Sequence, residues 1–190
     1  MRLTAFIVAV LSSCLMPLVA DARPKTLWHG TGLEASIFYG GTLFEVTNIT
    51  GRVLTLTGRF RLNLSGTGGF TNDYQAYFKD GPLVGDELNS ADWNLLGNWS
   101  GTSGSQGTWT QAAFGSNLTL APGERKGIAL FLVSTSPVDG FVGYRQGSGT
   151  FVDPNLRITT GMAKGWRGGA GTDLFNVDTF RPRTWSGQVE

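Results

Sequence analysis

The stretch VLTLTGRFRLNLSG, residues 53–66, decides the fold class, because apolar and polar residues alternate along it. A period of two is that of a β-strand with one buried face and one solvated face. We therefore predict one long strand here, with a bulge or a close backbone contact where Gly58 interrupts the apolar face. The predicted inner face carries Leu54, Leu56, Gly58, Phe60, Leu62 and Leu64, and the outer face carries Thr55, Thr57, Arg59, Arg61, Asn63 and Ser65.

The rest of the chain repeats this pattern in short segments that are separated by turn-forming residues. The segment from Ile128 to Val133 is apolar on both faces, which predicts a central strand covered on both sides. The composition, with 28 glycines and few lysines or glutamates, suits strands and tight turns better than helices. We predict an all-β protein, an antiparallel, jelly-roll-like β-sandwich of about ten strands.

The N-terminus has the features of a secretory signal peptide. Arg2 precedes an apolar run, and Ala20-Asp21-Ala22 fits the small-x-small pattern of a signal-peptidase site. We expect cleavage between Ala22 and Arg23, which makes the mature protein secreted. The expected organisation is a signal peptide over 1–22 and a single β-sandwich domain over 23–190, of which residues 23–32 form a loose lead-in.

Cys14 is the only cysteine, and it lies within the predicted signal peptide. The mature chain then has no disulfide and no thiol chemistry, so the sandwich depends on its own core. The alternative is a lipobox, LSSC, in which Cys14 would be lipidated and anchor the protein to a membrane. Serines and a proline interrupt the apolar run, so we expect no transmembrane span in the mature chain.

Charge and motifs exclude some functions. The formal net charge is +1 and no long basic run occurs, which argues against a nucleic-acid partner. His29 is the only histidine, and the signatures of zinc proteases, serine hydrolases and P-loop enzymes are missing. We therefore assign no catalytic residues. A glycosidase-like carboxylate pair assembled by the fold stays open as an alternative.

One acidic loop is a candidate metal site. The segment KDGPLVGDELNSAD, residues 79–92, carries several carboxylates, which are the oxygen ligands that Ca²⁺ prefers. The spacing differs from that of an EF-hand, and a solvated acidic loop is the alternative. The candidate calcium ligands are Asp80, Asp86, Glu87 and Asp92.

The six tryptophans suggest carbohydrate binding, since a sugar site combines exposed aromatic rings with polar side chains. Trp93 and Trp185 alternate with apolar residues, which predicts that both lie in the core. The remaining tryptophans lie near glycine, serine or threonine, which favours exposure, and the alternative is that each caps a core edge or packs on a neighbouring strand. We expect these loops, rather than the face that carries Arg59 and Arg61, to bind the ligand. The candidate ligand-binding residues are Trp99, Trp109, Trp166 and Arg167.

Four asparagines begin Asn-x-Ser/Thr sequons. In a eukaryotic host such sites accept N-linked glycans, whereas in a chain rich in serine and threonine they also arise by chance. They are Asn48, Asn63, Asn98 and Asn117.

Several segments in order resemble a known kind of module. They are DYQAYFKDGPLVGDELNSADWNLLG, SGSQGTWT, LTLAPGERKGIALFLV, GYRQGSGTFVDPNLRITTGMAKG and FRPRTWSGQV. Together they resemble a glycine-rich β-sandwich module found in secreted and surface-attached bacterial proteins, over about residues 41–189. The resemblance implies a sandwich fold and no catalytic residues, and the ligand of such modules is not established.

The sequence thus predicts a secreted, non-enzymatic β-sandwich module that binds a carbohydrate or a cell-surface ligand. The first alternative is a structural or self-associating surface protein that uses exposed strand edges. The second is a hydrolase with an unrecognised carboxylate site.

Overall fold

The protein is all-β, as the sequence predicts. The computed structural model describes residues 28–83, 85, 87–134, 139–166 and 173–190. No helix in these ranges is long and apolar enough to cross a membrane. The predicted signal peptide and cleavage site, with Cys14, Ala22 and Arg23, lie outside the described residues, as do Asp86 and Arg167.

Sixteen short strands and one 3-10 turn make up the secondary structure of the described residues. The turn is Ser90–Asp92. The strands are β1 (His29–Gly30), β2 (Ile37–Tyr39), β3 (Gly41–Asn48), β4 (Leu54–Leu56), β5 (Arg59–Leu62), β6 (Thr71–Asp80), β7 (Asn94–Thr102), β8 (Thr110–Ala113), β9 (Leu118–Leu120), β10 (Arg125–Leu132), β11 (Val142–Gln146), β12 (Gly149–Val152), β13 (Leu156–Lys164), β14 (Thr179–Phe180), β15 (Arg183–Trp185) and β16 (Gly187–Val189).

The strands form antiparallel sheets that enclose a common core. The largest has seven strands, in the order β12-β13-β3-β10-β6-β7, with β14 paired to β13. The opposite side is divided into a four-stranded sheet, β1-β16-β5-β8, a three-stranded sheet, β15-β11-β2, and the pair β4-β9. The position of β10 between β3 and β6 confirms the predicted central strand. The jelly-roll connectivity stays a prediction.

The main core lies between the large sheet and the smaller ones. Phe44 of β3 stacks on Trp185 of β15, with ring centroids 4.2 Å apart and planes 9° from parallel. Both side chains are fully buried, so the prediction that Trp185 lies in the core is confirmed. Apolar side chains of this size each contribute on the order of 2–3 kcal/mol by burial.

A second apolar cluster covers the other face of the large sheet. Phe175 lies against Trp93, Phe131 and Tyr77, with centroids 5.0, 4.9 and 5.3 Å away. Trp93 is only 7% exposed, which confirms its predicted burial. Because β10 is apolar on both faces, its outer side chains need this cover, which the chain around Leu83, Trp93 and Phe175 supplies.

A buried lysine holds this cover in place. The Nζ of Lys164 donates to the Phe175 carbonyl at 2.8 Å and to Thr179 Oγ1 at 2.9 Å. Burial lowers the pKa of Lys164 to about 8, and the nearby charge of Asp173 opposes this shift. The lysine ammonium therefore loses solvation and gains two hydrogen bonds, which hold the segment from Phe175 to Thr179 against the sheet.

The stretch 53–66 differs from the single strand we predicted. It forms two strands, β4 and β5, which belong to different sheets, and Gly58 turns the chain between them. Gly58 has φ +67°, and a Cβ there would lie 2.1 Å from the Ser116 carbonyl oxygen. The predicted close contact at Gly58 is confirmed, and it produces a corner rather than a bulge because only glycine fits both the φ and the contact.

The outer face of this stretch also departs from expectation at one residue. Asn63 is 1% exposed, although alternation predicts that it is solvated. Its side chain donates to the Leu33 carbonyl and accepts from the Gly107 N–H at 3.2 Å. A buried amide is tolerated because its polar atoms are paired. Two loops therefore meet over this end of β5.

The described end of the lead-in is also part of the sandwich, unlike the loose segment we expected. His29 and Gly30 pair with Val189 and Gln188. Thr31 is 3% exposed, and its hydroxyl donates to the Trp185 carbonyl at 2.5 Å. Residues 28–31 therefore form an edge of the four-stranded sheet.

The four sequons differ in accessibility. Asn48 and Asn63 are buried, and their amide nitrogens donate to backbone carbonyls. Asn98 and Asn117 are exposed. Only the latter pair is open to modification in the folded protein.

Candidate functional site: an aromatic and arginine face

The outer face of the four-stranded sheet gathers more polar and aromatic groups than the sequence suggested. In the register of this sheet, Arg61 of β5 lies between Gln111 of β8 and Gln188 of β16. Cross-strand partners project from the same face of a sheet, so these side chains form one row. Gln111 is exposed, and Arg61 and Gln188 are half-buried. We call this surface, with Trp28 and Trp109, the Trp28 face.

Trp28 is fixed by a cation–π contact. The Cζ of Arg61 lies 4.1 Å from the centroid of the Trp28 ring, well within the range of such interactions. The Arg61 Nη1 donates to Gln188 Oε1 at 3.2 Å. One side of the indole thus rests on a guanidinium that Gln188 holds, which presets the orientation of the ring.

A second row supports this arrangement. Arg59 pairs with Glu190 at 3.4 Å, and the Thr57 hydroxyl donates to the same carboxylate oxygen at 2.5 Å. The Glu190 side chain is 6% exposed while that of Arg59 is 62% exposed. The carboxylate is therefore neutralised and enclosed, and a positive group faces the solvent.

Trp109 extends the face at its other edge. It precedes β8 directly, and by alternation it lies on the same side as Gln111 and opposite to the buried Thr110. Trp28 directly precedes β1, at the opposite edge of the sheet. Three strand spacings separate these edges, about 14 Å. Trp109 thus lies at one end of the row of Gln111, Arg61 and Gln188, and Trp28 reaches Arg61 from the other end.

The other two candidate tryptophans are not part of this face. Trp99 pairs with Tyr74, which is 1% exposed, and their rings lie 5.2 Å apart on the inner side of the large sheet. Trp166 packs edge-on against Phe141 at 6.2 Å. Both are half-buried and pack against the main core, which is the alternative to an exposed binding residue. Arg167 lies outside the described residues.

The candidate calcium ligands that the structure describes lie apart, each with its own partner. Asp80 pairs with Lys126 at 2.5 Å, Glu87 pairs with Arg181, and Asp92 accepts from Asn89 at 2.6 Å. Within the described ranges no group of three or more His, Cys, Asp or Glu side chains could hold a metal ion. Each of these carboxylates thus already forms an ion pair or a hydrogen bond with a neighbouring side chain.

Sequence reasoning did not single out Trp28, and it assigned the face of Arg61 to solvent. β1 is two residues long, and its partner β16 lies at the far end of the chain. No local period marks so short a strand, and only the pairing brings Trp28 over Arg61. The only local signal is that Trp28 and Gly30 are two residues apart. In an extended segment they lie on the same side, where the missing side chain of Gly30 leaves room beside the Trp28 ring.

The chain matches no protein-family model, and no curated protein matches it.

Proposed function

We propose that the protein is a secreted, non-enzymatic β-sandwich module that binds carbohydrate on the Trp28 face. The observation that carries the proposal is the stack of Trp28 on Arg61, which lies in a row with Gln111 and Gln188. The resemblance to modules of secreted and surface-attached bacterial proteins supports the secreted location and implies no catalytic residues.

The chemistry of a sugar suits this face. The C–H groups of a pyranose ring are weakly positive, and they pack on the negative face of an indole. Because Arg61 covers one side of the Trp28 ring, the opposite side remains for a sugar. The amides of Gln111 and Gln188 both donate and accept hydrogen bonds, as sugar hydroxyls do. A ring held in place by its neighbours loses little entropy on binding.

A titration against defined oligosaccharides tests the proposal. Cellohexaose, laminarihexaose, chitohexaose and soluble peptidoglycan fragments would be followed by calorimetry and by tryptophan fluorescence. We expect the protein to bind at least one of them, and the double variant W28A/W109A to lose about tenfold or more of the affinity. Trp28→Phe keeps an aromatic ring and should retain most of the binding.

A second arginine–aromatic pair gives a matched control. Arg145 lies 5.8 Å from the Phe151 ring, away from the Trp28 face. Phe151→Ala should leave the affinity unchanged. Failure to bind any glycan of a wider array would contradict the carbohydrate assignment, and equal losses in Phe151→Ala and W28A/W109A would contradict the assigned face.

Secretion rests on the N-terminal sequence, and mass spectrometry tests it. We expect the exported protein to begin at Arg23, after cleavage behind Ala22. A lipid-modified Cys14 at the N-terminus would instead support membrane anchoring.

A further inference from the structure

We propose a second binding site, a cationic groove on the large sheet that takes an oxyanion, a carboxylate or a sulfate ester, carried on a polysaccharide. It rests on the proposed function in that its ligand is also a glycan. The groove has a volume of about 790 Å³ and lies on the outer face of β3, β10, β12 and β13, beside the second apolar cluster. Its lining includes Thr47, Arg125, Arg157, Glu45 and Thr159.

The register of the sheet places two arginines on either side of a threonine. Thr47 pairs with Arg125 on β10 and with Arg157 on β13. The three residues therefore form one row on one face, with the two arginines on strands about 10 Å apart. Thr47 is 7% exposed and forms the floor of the groove, whereas both arginines are exposed.

The exposed charge of the groove is positive. Glu45 is the one carboxylate among the described residues that line the groove. Its side chain is 14% exposed and lies 3.7 Å from Arg125. The other Glu45 oxygen accepts from the Leu83 N–H at 3.3 Å. Among the described residues Arg157 has no ion pair, so its guanidinium is open to an anionic partner. Guanidinium groups form charge-assisted, often bidentate hydrogen bonds with such oxyanions.

The walls of the groove are fixed. On one side the buried Asn48 side chain donates to the carbonyls of Arg52, Leu120 and Ala121 at 2.7, 3.0 and 3.0 Å. It also accepts from the Thr50 N–H and hydroxyl at 2.9 and 2.8 Å. On the other side the bond from Leu83 to Glu45 holds the chain next to Pro82. Thr150 and Thr159 add hydroxyl groups to the lining of the groove. Because its walls are held in place, the groove loses little entropy when it binds a polar, extended ligand.

A binding comparison with acidic and neutral probes tests the proposal. Trigalacturonate and dextran sulfate carry the oxyanion on a sugar chain, dextran is their neutral counterpart, and inorganic sulfate is the free anion. We expect trigalacturonate or dextran sulfate to bind, with an affinity that falls as sodium chloride is added. Arg157→Gln should weaken that binding about tenfold or more, and Arg157→Lys should restore part of it.

Two controls separate the groove from general charge and from the Trp28 face. Arg145→Gln removes the same charge from an arginine that pairs with Glu34 elsewhere, and it should leave the affinity unchanged. W28A/W109A should weaken binding of the acidic probe less than Arg157→Gln does.

Four outcomes would overturn the groove. Binding of the neutral hexasaccharides without binding of any acidic probe would contradict the groove and leave the Trp28 face intact. Inorganic sulfate binding as tightly as the acidic glycans would show an oxyanion site without a glycan. Equal losses in Arg145→Gln and Arg157→Gln would show charge attraction without a site. Absence of binding by every neutral and acidic probe would contradict the proposed function as well.

Discussion

The outer faces of the seven-stranded and the four-stranded sheet differ in what lies on them. Part of the outer face of the seven-stranded sheet is covered by the cluster of Phe175, Trp93, Phe131 and Tyr77, and the buried Lys164 holds the covering segment. Within the residues that the structure describes, the outer face of the four-stranded sheet has no such cover and carries Arg61 and its neighbours instead. The covered part of the first surface contributes to stability, whereas the second is the surface that we propose for glycan binding.

The difference follows from the strands themselves. β10 carries apolar side chains on both faces, so water must be excluded from both. β5 alternates arginine with buried Phe60 and Leu62, so only one of its faces needs cover. Mutations on the two surfaces should therefore separate stability from binding.

The largest effect is expected from removing the covering ring. Phe175→Ala leaves a cavity beside Trp93, Phe131 and Tyr77 and should lower the free energy of unfolding by about 3–4 kcal/mol. Urea denaturation followed by circular dichroism measures this. Phe175→Leu, which fills most of the space, should recover part of the loss. A decrease in the free energy of unfolding of less than about 0.5 kcal/mol, the range of ordinary surface substitutions, would show that the cover does not stabilise the sheet.

The corner at Gly58 comes next, because it separates β4 from β5 and so gives the four-stranded sheet its own surface. Gly58→Ala brings a Cβ to 2.1 Å from the Ser116 carbonyl oxygen at a positive φ. We expect a loss of about 2–3 kcal/mol in the free energy of unfolding. Gly51→Ala is the control, since a Cβ there meets nothing within 4 Å. Equal free energies of unfolding for Gly58→Ala and Gly51→Ala would contradict the claim that the corner requires glycine at position 58.

The buried lysine should make stability depend on pH. The folded-state pKa of Lys164 is lowered to about 8, below the ordinary value of 10.5. Between these values the unfolded chain binds more protons, so stability should rise with pH, by about 2 kcal/mol from pH 7 to about 9.5. Burial raises the pKa of Tyr74 and Tyr144, which opposes the trend only above about pH 10.

Lys164→Met removes the titrating group and keeps the length of the side chain. Its stability should lack the rise between about pH 8 and 9.5. An unchanged pH profile in this variant would assign the dependence to another group.

The smallest effect on stability is expected on the open surface. Arg61→Ala removes a half-exposed cation–π contact and one hydrogen bond, and should change the free energy of unfolding by about 1 kcal/mol or less. The same variant should lose glycan affinity, because the support for Trp28 is gone. A loss of stability comparable to that of Phe175→Ala would make Arg61 a structural residue instead.

The sequence predicted features that depend on local period. Alternation and the doubly apolar Ile128–Val133 segment gave the all-β class, the central strand and the burial of Trp93 and Trp185. The corner at Gly58 was missed in part, because a glycine that interrupts a strand looks the same at a bulge and at a change of sheet.

The candidate site was harder to predict because it depends on pairings between distant parts of the chain. Trp28 reaches Arg61 only through the pairing of β1 with β16. Trp99 looked exposed by composition but lies opposite the buried Tyr74. The groove arises from a register of three strands, Arg125, Thr47 and Arg157, that no local pattern reveals.

The most direct test is a titration of the six indole N–H signals by nuclear magnetic resonance. The signals of Trp28, Trp93, Trp99, Trp109, Trp166 and Trp185 would be assigned with single Trp→Phe variants. On addition of a hexasaccharide that binds the protein, we expect the chemical shifts of Trp28 and Trp109 to change and those of Trp93 and Trp185 to remain constant. Shifts confined to Trp99 or Trp166 would contradict the assigned face.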